Sequence, residues 1–106
     1  MKDATEMFLD EIGSNGKFKM LSALLDNSLS VNEIARQTGL SQTHVSHNLK
    51  SLSMCRFVNK KVSGNVHEYS LSKEMVPCIK GIAAYIKKYE KFLVRCGAIK
   101  KEEIGS

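Results

Sequence analysis

The sequence predicts a mainly α chain carrying one small β-hairpin. Three observations carry this reading. Apolar residues recur at helical spacing through the first half of the 106 residues and again through the last quarter. Between them, Phe57–Val62 and Val66–Leu71 flank Ser63-Gly64-Asn65, a short Gly-bearing connection of hairpin type. The helical stretches are also separated by start and stop signals, so they read as distinct elements.

Taken in order, Asp3 can cap a first helix from Ala4 to Ile12, with Met7, Phe8, Glu11 and Ile12 at helical spacing. Gly13-Ser14-Asn15-Gly16 breaks it. A second helix, Lys17 to Leu25, turns Phe18, Leu21, Leu24 and Leu25 inward and ends at Asp26-Asn27-Ser28. Ser30 and Glu33 then form a capping box that opens a third helix, Val31 to Thr38, with Val31, Ile34 and Ala35 inward. Gly39 supplies the left-handed residue after it, Leu40 fills the turn, and Ser41 caps a fourth helix from Gln42 to about Leu52. A short strand around Leu29 is expected to pair with the hairpin. The closing helix runs from about Met75 to Cys96 and is ended by Gly97, with Pro77 in its first turn, where a missing amide costs little. The tail, Ile99 to Ser106, is charged and expected to fray.

A chain of this length has room for one domain, and 42% hydrophobic residues suffice for a modest core. No apolar stretch approaches the roughly 20 residues of a membrane span, and the acidic start does not resemble a signal peptide, so a cytoplasmic location is expected. Cys55, Cys78 and Cys96 form an odd, widely spaced set, which fits reduced thiols better than a disulfide framework. They read as small hydrophobes. A redox switch, through Cys96 and its copy or through Cys55 and Cys78, is the sharper alternative. Charge is uneven. Residues 1–40 carry four basic and six acidic groups, residues 41–71 four and one, and residues 72–106 eight and four. The positive excess of the last two thirds suits a polyanionic partner.

The third and fourth helices, joined through Gly39, make a helix-turn-helix candidate. Val45, Leu49 and Leu52 share one face of the fourth helix, while Gln42, Thr43, Ser46, His47 and Lys50 occupy the other, with no acidic or aliphatic residue among them. Gln can pair with adenine edges, Ser and Thr suit phosphate or base, and Lys reaches guanine or phosphate. Together with Ser41, these are the candidate double-stranded-DNA contacts, joined by Lys60, Lys61 and Asn65 of the hairpin. Val62 and Tyr69 are expected to pack, and His67 to be a strand surface residue. His44 and His47 have a spacing that can hold a metal, but no Cys or carboxylate lies nearby in sequence to complete a site. No metal and no cofactor are expected.

Four helices, a hairpin and a long last helix make a winged helix-turn-helix. Residues 1–28 supply the N-terminal helices, 29–52 the helix-turn-helix, 56–71 the wing, 75–97 a dimerisation helix and 98–106 the tail. The run from Leu29 to Lys61, LSVNEIARQTGLSQTHVSHNLKSLSMCRFVNKK, and the later VHEYSLS ending at Ser72, resemble the ArsR-type winged-helix repressors. The resemblance implies a dimer built from the first and last helices, with the Ser41–Leu52 helix in the major groove. It also implies release of DNA by a metal or oxidant in many members. Where metal-sensing members carry a Cys-x-Cys pair ahead of the helix-turn-helix, this chain has Ser30 and Asn32, and no His follows His67. Both departures argue against a metal sensor of the usual kind and leave the effector open.

The last helix carries its own dimer signal. Met75, Ile79, Ile82, Ile86, Tyr89, Leu93 and Cys96 alternate at spacings of four and three, which keeps one stripe facing a partner helix. Phe8, Ile12, Ile79, Ile82, Ile86, Tyr89 and Leu93 are the candidate dimer contacts, part of the stripe meeting the first helix and part a second copy. No nucleophile–base pair, phosphate-cradling loop or paired carboxylates suggest an enzyme. The reading is a homodimeric, sequence-specific DNA-binding repressor on an inverted repeat. The alternative is a winged helix used for protein–protein contact.

Overall fold

The computed structural model describes residues 2–100. The tail expected to fray lies, for residues 101–106, outside the described residues. The elements follow in the order α1 (Ala4–Gly13), α2 (Lys17–Ala23), α3 (Val31–Thr38), α4 (Gln42–Met54), β1 (Val58–Ser63), β2 (Val66–Leu71) and α5 (Met75–Arg95). This is the winged helix-turn-helix that the pattern predicts.

Local chemistry explains most boundaries. Asp3 accepts from the Glu6 amide at 2.9 Å and starts α1. Ser30 and Glu33 form the reciprocal capping box of α3, at 3.2 and 2.9 Å. α4 runs two residues past the expected Leu52, to Met54. It closes through Arg56 in the left-handed region (φ 63), with the Arg56 amide bonded to the Ser53 carbonyl and the Phe57 amide to the Leu52 carbonyl. This is a Schellman ending without the usual glycine. α5 ends the same way, its Gly97 and Ala98 amides reaching Val94 and Leu93.

β1 and β2 pair antiparallel from Val58↔Leu71 to Ser63↔Val66, leaving the two-residue loop Gly64-Asn65. The strand expected around Leu29 is a single bridge to Tyr69, with bonds of 2.9 and 2.8 Å. It fastens the hairpin base to the α2–α3 connection. The core gathers one to three residues from every element: Ile12, Met20, Leu21, Leu24, Leu29, Ile34, Val45, Leu49, Leu52, Val58, Leu71, Met75 and Ile79.

Several packing expectations are corrected. Met7 is 62% exposed, since α1 lies along α2 with only its Phe8–Ile12 side covered. Met20 is fully buried, whereas Phe18 and Leu25 are half-buried at the edge of the core. Val62, expected to pack, is 57% exposed because the hairpin tip extends beyond the helices. α1 and α5 each pack chiefly on α2 rather than on one another. Ile12 and Ile79, expected at a dimer contact, are buried in the chain's own core, and Phe8 stands edge-on to Phe57 at 5.5 Å.

Gly16 has φ 77, and an added Cβ there would stand 3.0 Å from a Leu40 methyl. The α1–α2 turn and the helix-turn-helix turn therefore touch at a point that demands glycine. Gly16→Ala is expected to lower the unfolding free energy by about 1–2 kcal/mol. Arg56→Gly, relieving a left-handed residue that carries a side chain, is expected to raise it by up to about 1 kcal/mol. Urea unfolding with unchanged slopes reads both; a neutral Gly16→Ala would refute the close approach.

Candidate nucleic-acid interface

α3 and α4 pack across the turn Gly39-Leu40-Ser41. Gly39 takes φ 80 and donates to the Ala35 carbonyl at 2.9 Å. The Thr38 hydroxyl donates to the Ile34 carbonyl at 2.7 Å and accepts from the Leu40 amide at 3.3 Å, so it stitches the bend from within. Ser41 then accepts from the His44 amide at 3.1 Å and launches α4. The capping role expected of Ser41 is thus met while the residue stays exposed.

α4 divides as its sequence predicts. Val45, Leu49 and Leu52 are buried, and Gln42, Thr43, Ser46, His47 and Lys50 are all exposed. These five side chains and Ser41 form one continuous surface of amide, hydroxyl, imidazole and ammonium groups. No carboxylate interrupts it. Such a face offers donors and acceptors to base edges and a cation to phosphate.

The wing residues separate by strand geometry. Adjacent residues of a strand point to opposite faces, so Lys60 and Lys61 cannot share one. Lys60 lies opposite Tyr69 with its ammonium 6.0 Å from the ring centroid; Lys61 lies opposite Glu68, whose charge offsets its own. Asn65 is exposed at the tip, and His67 is an exposed strand residue. Among the described residues, no group of three or more His, Cys, Asp or Glu side chains is placed to hold a metal. Among the described residues, no third ligand therefore joins His44 and His47.

All three thiols are free; Cys55 and Cys96 are exposed and Cys78 half-buried. Burial, and then the nearby Glu11 charge, push the Cys55 thiol up, against a smaller opposing influence of Lys17. That makes it a poorer nucleophile than an ordinary thiol.

Sequence reasoning missed the polar groups behind α4. Lys17 is 8% exposed and pairs with Glu11 at 2.9 Å, while its ammonium also reaches the Ser51 hydroxyl at 3.3 Å. Ser51 in turn donates to Glu11. Asn48 is buried and donates to the Asn15 carbonyl at 2.8 Å. The available signal was angular. At roughly 100° per residue Asn48 falls beside Leu52 at the border of the apolar face, where a buried polar residue must find a partner.

Residues 14–60 match the sequence pattern of the family described as bacterial regulatory protein, arsR family. That stretch contains the whole helix-turn-helix and the start of β1. The fold agrees with solved structures. HlyU from Vibrio cholerae N16961 is 28% identical with a TM-score of 0.69, over 76% of this chain and 89% of that one. NolR from Sinorhizobium fredii is 26% identical with a TM-score of 0.68, over 77% and 82%. The transcriptional regulator HlyU from Vibrio vulnificus CMCP6 shares the fold at 24% identity, with a TM-score of 0.68 over 76% and 85%. No curated protein sequence matches the chain. The chain thus has a winged-helix fold like that of these solved structures, and its residues 14–60, which span the helix-turn-helix, match the arsR-family pattern.

Burial alone would raise the Glu11 carboxyl, but hydrogen bonds from Ser51 and Lys17 and the Lys17 charge outweigh it and hold the group below its ordinary value. A carboxyl lowered on folding contributes stability that is present above its unfolded pKa of about 4.3 and is lost as pH falls through the lowered folded value. Glu11→Gln should therefore be less stable than wild type near pH 7, by about 1–3 kcal/mol. The gap should close as the pH falls below about 4. Urea midpoints across that range test this; a constant gap would refute the linkage.

Proposed function

We propose that this chain is an ArsR-family, sequence-specific regulator of double-stranded DNA, working as a homodimeric repressor on an inverted repeat. The observation that supports it most is the free face of α4: Ser41, Gln42, Thr43, Ser46, His47 and Lys50 all exposed, with the opposite face consumed by the core. On this reading, residues 1–106 act as one domain in the cytoplasm. No helix among the described residues is long and apolar enough to cross a membrane. Lys60 and Asn65 flank the site from the wing, with Lys61 a weaker contact beside Glu68. The repressor role rests on the family resemblance and would appear as increased transcription from a target promoter when the chain is removed.

The homodimer is supported by what α5 leaves uncovered. Its first turns hold Met75 and Ile79 in the core, while Ile82, Ile86 and Leu93 are half-buried and Tyr89 is 48% exposed. Tyr85 and Phe92, outside the expected stripe, are exposed as well, and Phe92 stacks on Tyr89 at 6.3 Å. α1 exposes Met7 and Leu9 among acidic residues, whereas α5 carries Lys80, Lys87, Lys88, Lys91 and Arg95 against Glu90. Apolar surface with opposite charge suits α1 of one copy on α5 of the other. Ile82, Ile86, Tyr89 and Leu93 keep their proposed role, and Met7 and Leu9 replace Phe8 and Ile12.

Gln42→Ala or His47→Ala should weaken binding to a selected operator by about 1–3 kcal/mol and leave random duplex nearly unchanged. Lys60→Ala should weaken all duplexes alike and lower the salt slope by about one, with a smaller effect from Lys61→Ala. Fluorescence anisotropy at several salt concentrations reads these outcomes. Salt-independent binding, or none, would transfer the face to a protein partner. Ile86→Glu puts a carboxylate in the proposed interface and should yield folded monomers with a large loss of operator affinity. A wild-type monomer at micromolar concentration in sedimentation, or a dimeric Ile86→Glu, would refute the dimer.

A further inference from the structure

Behind the face that meets DNA, α4 is fastened by polar atoms to one short stretch of chain. Asn48, only 1% exposed, donates through Nδ2 to the Asn15 carbonyl and lies 3.4 Å from the Met20 sulfur, while its Oδ1 is buried without a hydrogen-bond partner. One turn further on, Ser51 donates to Glu11 and accepts from Lys17. The partners of these bonds, Glu11, Asn15 and Lys17, all belong to the end of α1, its turn and the first residue of α2.

Stability alone does not call for this arrangement. Apolar side chains of similar volume are often as stabilising as buried polar groups, and an orphaned amide oxygen is a direct cost. Apolar contact is non-directional and tolerates a slide or a small rotation of the helix. Hydrogen bonds at two successive turns do not, because they weaken steeply with angle. His47 and Lys50 immediately precede Asn48 and Ser51, so the two fastened turns carry two of the outward groups.

Resting on the reading of α4 as the helix that meets DNA, we propose that Asn48 and Ser51 are positioning residues for sequence discrimination. They touch no DNA and act by fixing the axial position and rotation of α4. Bonds to base edges tolerate a shift of about 0.5 Å poorly. Phosphate contacts made by long flexible lysines absorb it. Loosening the fastening therefore degrades the choice between sequences while general affinity stays.

The test uses a duplex selected from a random pool by the wild-type protein, and its scrambled version. Asn48→Leu removes the amide and its orphaned oxygen; Ser51→Ala removes one hydroxyl and leaves the Glu11–Lys17 pair. Each is expected to reduce the ratio of the two affinities by about fivefold, the equivalent of one hydrogen bond, with scrambled-duplex affinity within about twofold of wild type. Ser51→Thr keeps the hydroxyl and should retain the ratio. A merely structural role would lower both affinities together in proportion to the folded fraction, and leave the ratio constant. A constant ratio in Ser51→Ala and in every folded Asn48 variant overturns the inference, as does a Ser51→Thr that behaves like Ser51→Ala. A wild type with no preference between duplexes overturns the reading of α4 itself, and this inference with it.

Discussion

α4 can be gripped from one side only. A helix that offers its polar face to a groove has the remaining half of its circumference by which the protein can hold it, and everything else in this fold is arranged around that half. Val45, Leu49 and Leu52 enter the core there and meet residues from α2, α3 and β1. Each such side chain contributes roughly 1.5–3 kcal/mol on burial, whereas a net hydrogen bond contributes roughly 0.5–1.5. The apolar contacts thus supply most of the energy. The bonds from Asn48 and Ser51 supply direction, and the turn built by Thr38, Gly39 and Leu40 sets the angle at which α4 leaves α3.

The same scaffold joins the wing to that helix. Arg56 ends α4 in a conformation that reverses the chain, and Phe57 follows at once, edge-on to Phe8 and bonded through its carbonyl to the Ser72 amide. β1 therefore starts at a defined distance from the end of α4. The Leu29 bridge secures the other strand at Tyr69, the residue over which Lys60 lies. Helix and wing are held by separate short links to the same core, so their spacing is set by covalent length and a few hydrogen bonds.

α5 behaves as two half-helices in chemical terms. Its N-terminal half closes the core through Met75 and Ile79, and its C-terminal half carries apolar and aromatic groups that the chain does not cover. The difference follows from the size of the body: about 21 residues of helix extend roughly 30 Å, further than the small α2 surface beneath. The uncovered length is the surface on which the proposed dimer rests.

By itself the sequence determined the order and type of every element, the α3 bounds to the residue, the apolar and free faces of α4, and that the Leu29 segment pairs with the hairpin, though as a bridge and not as a strand. All of these depend on periodicity, caps and turn residues, which act within a few positions along the chain. Only the tertiary structure decided which apolar stripes are used up inside. Ile12 and Ile79 went to the core and Met7 and Val62 did not, because a helical or strand pattern marks a face as apolar without saying what lies against it. The separation of Lys60 from Lys61 was latent in strand alternation, but their neighbours Tyr69 and Glu68 required the register. The Glu11–Lys17–Ser51 cluster and the Asn48–Asn15 bond join residues 33 to 40 positions apart. No local rule reaches that far, since such contacts exist only after the helices have packed.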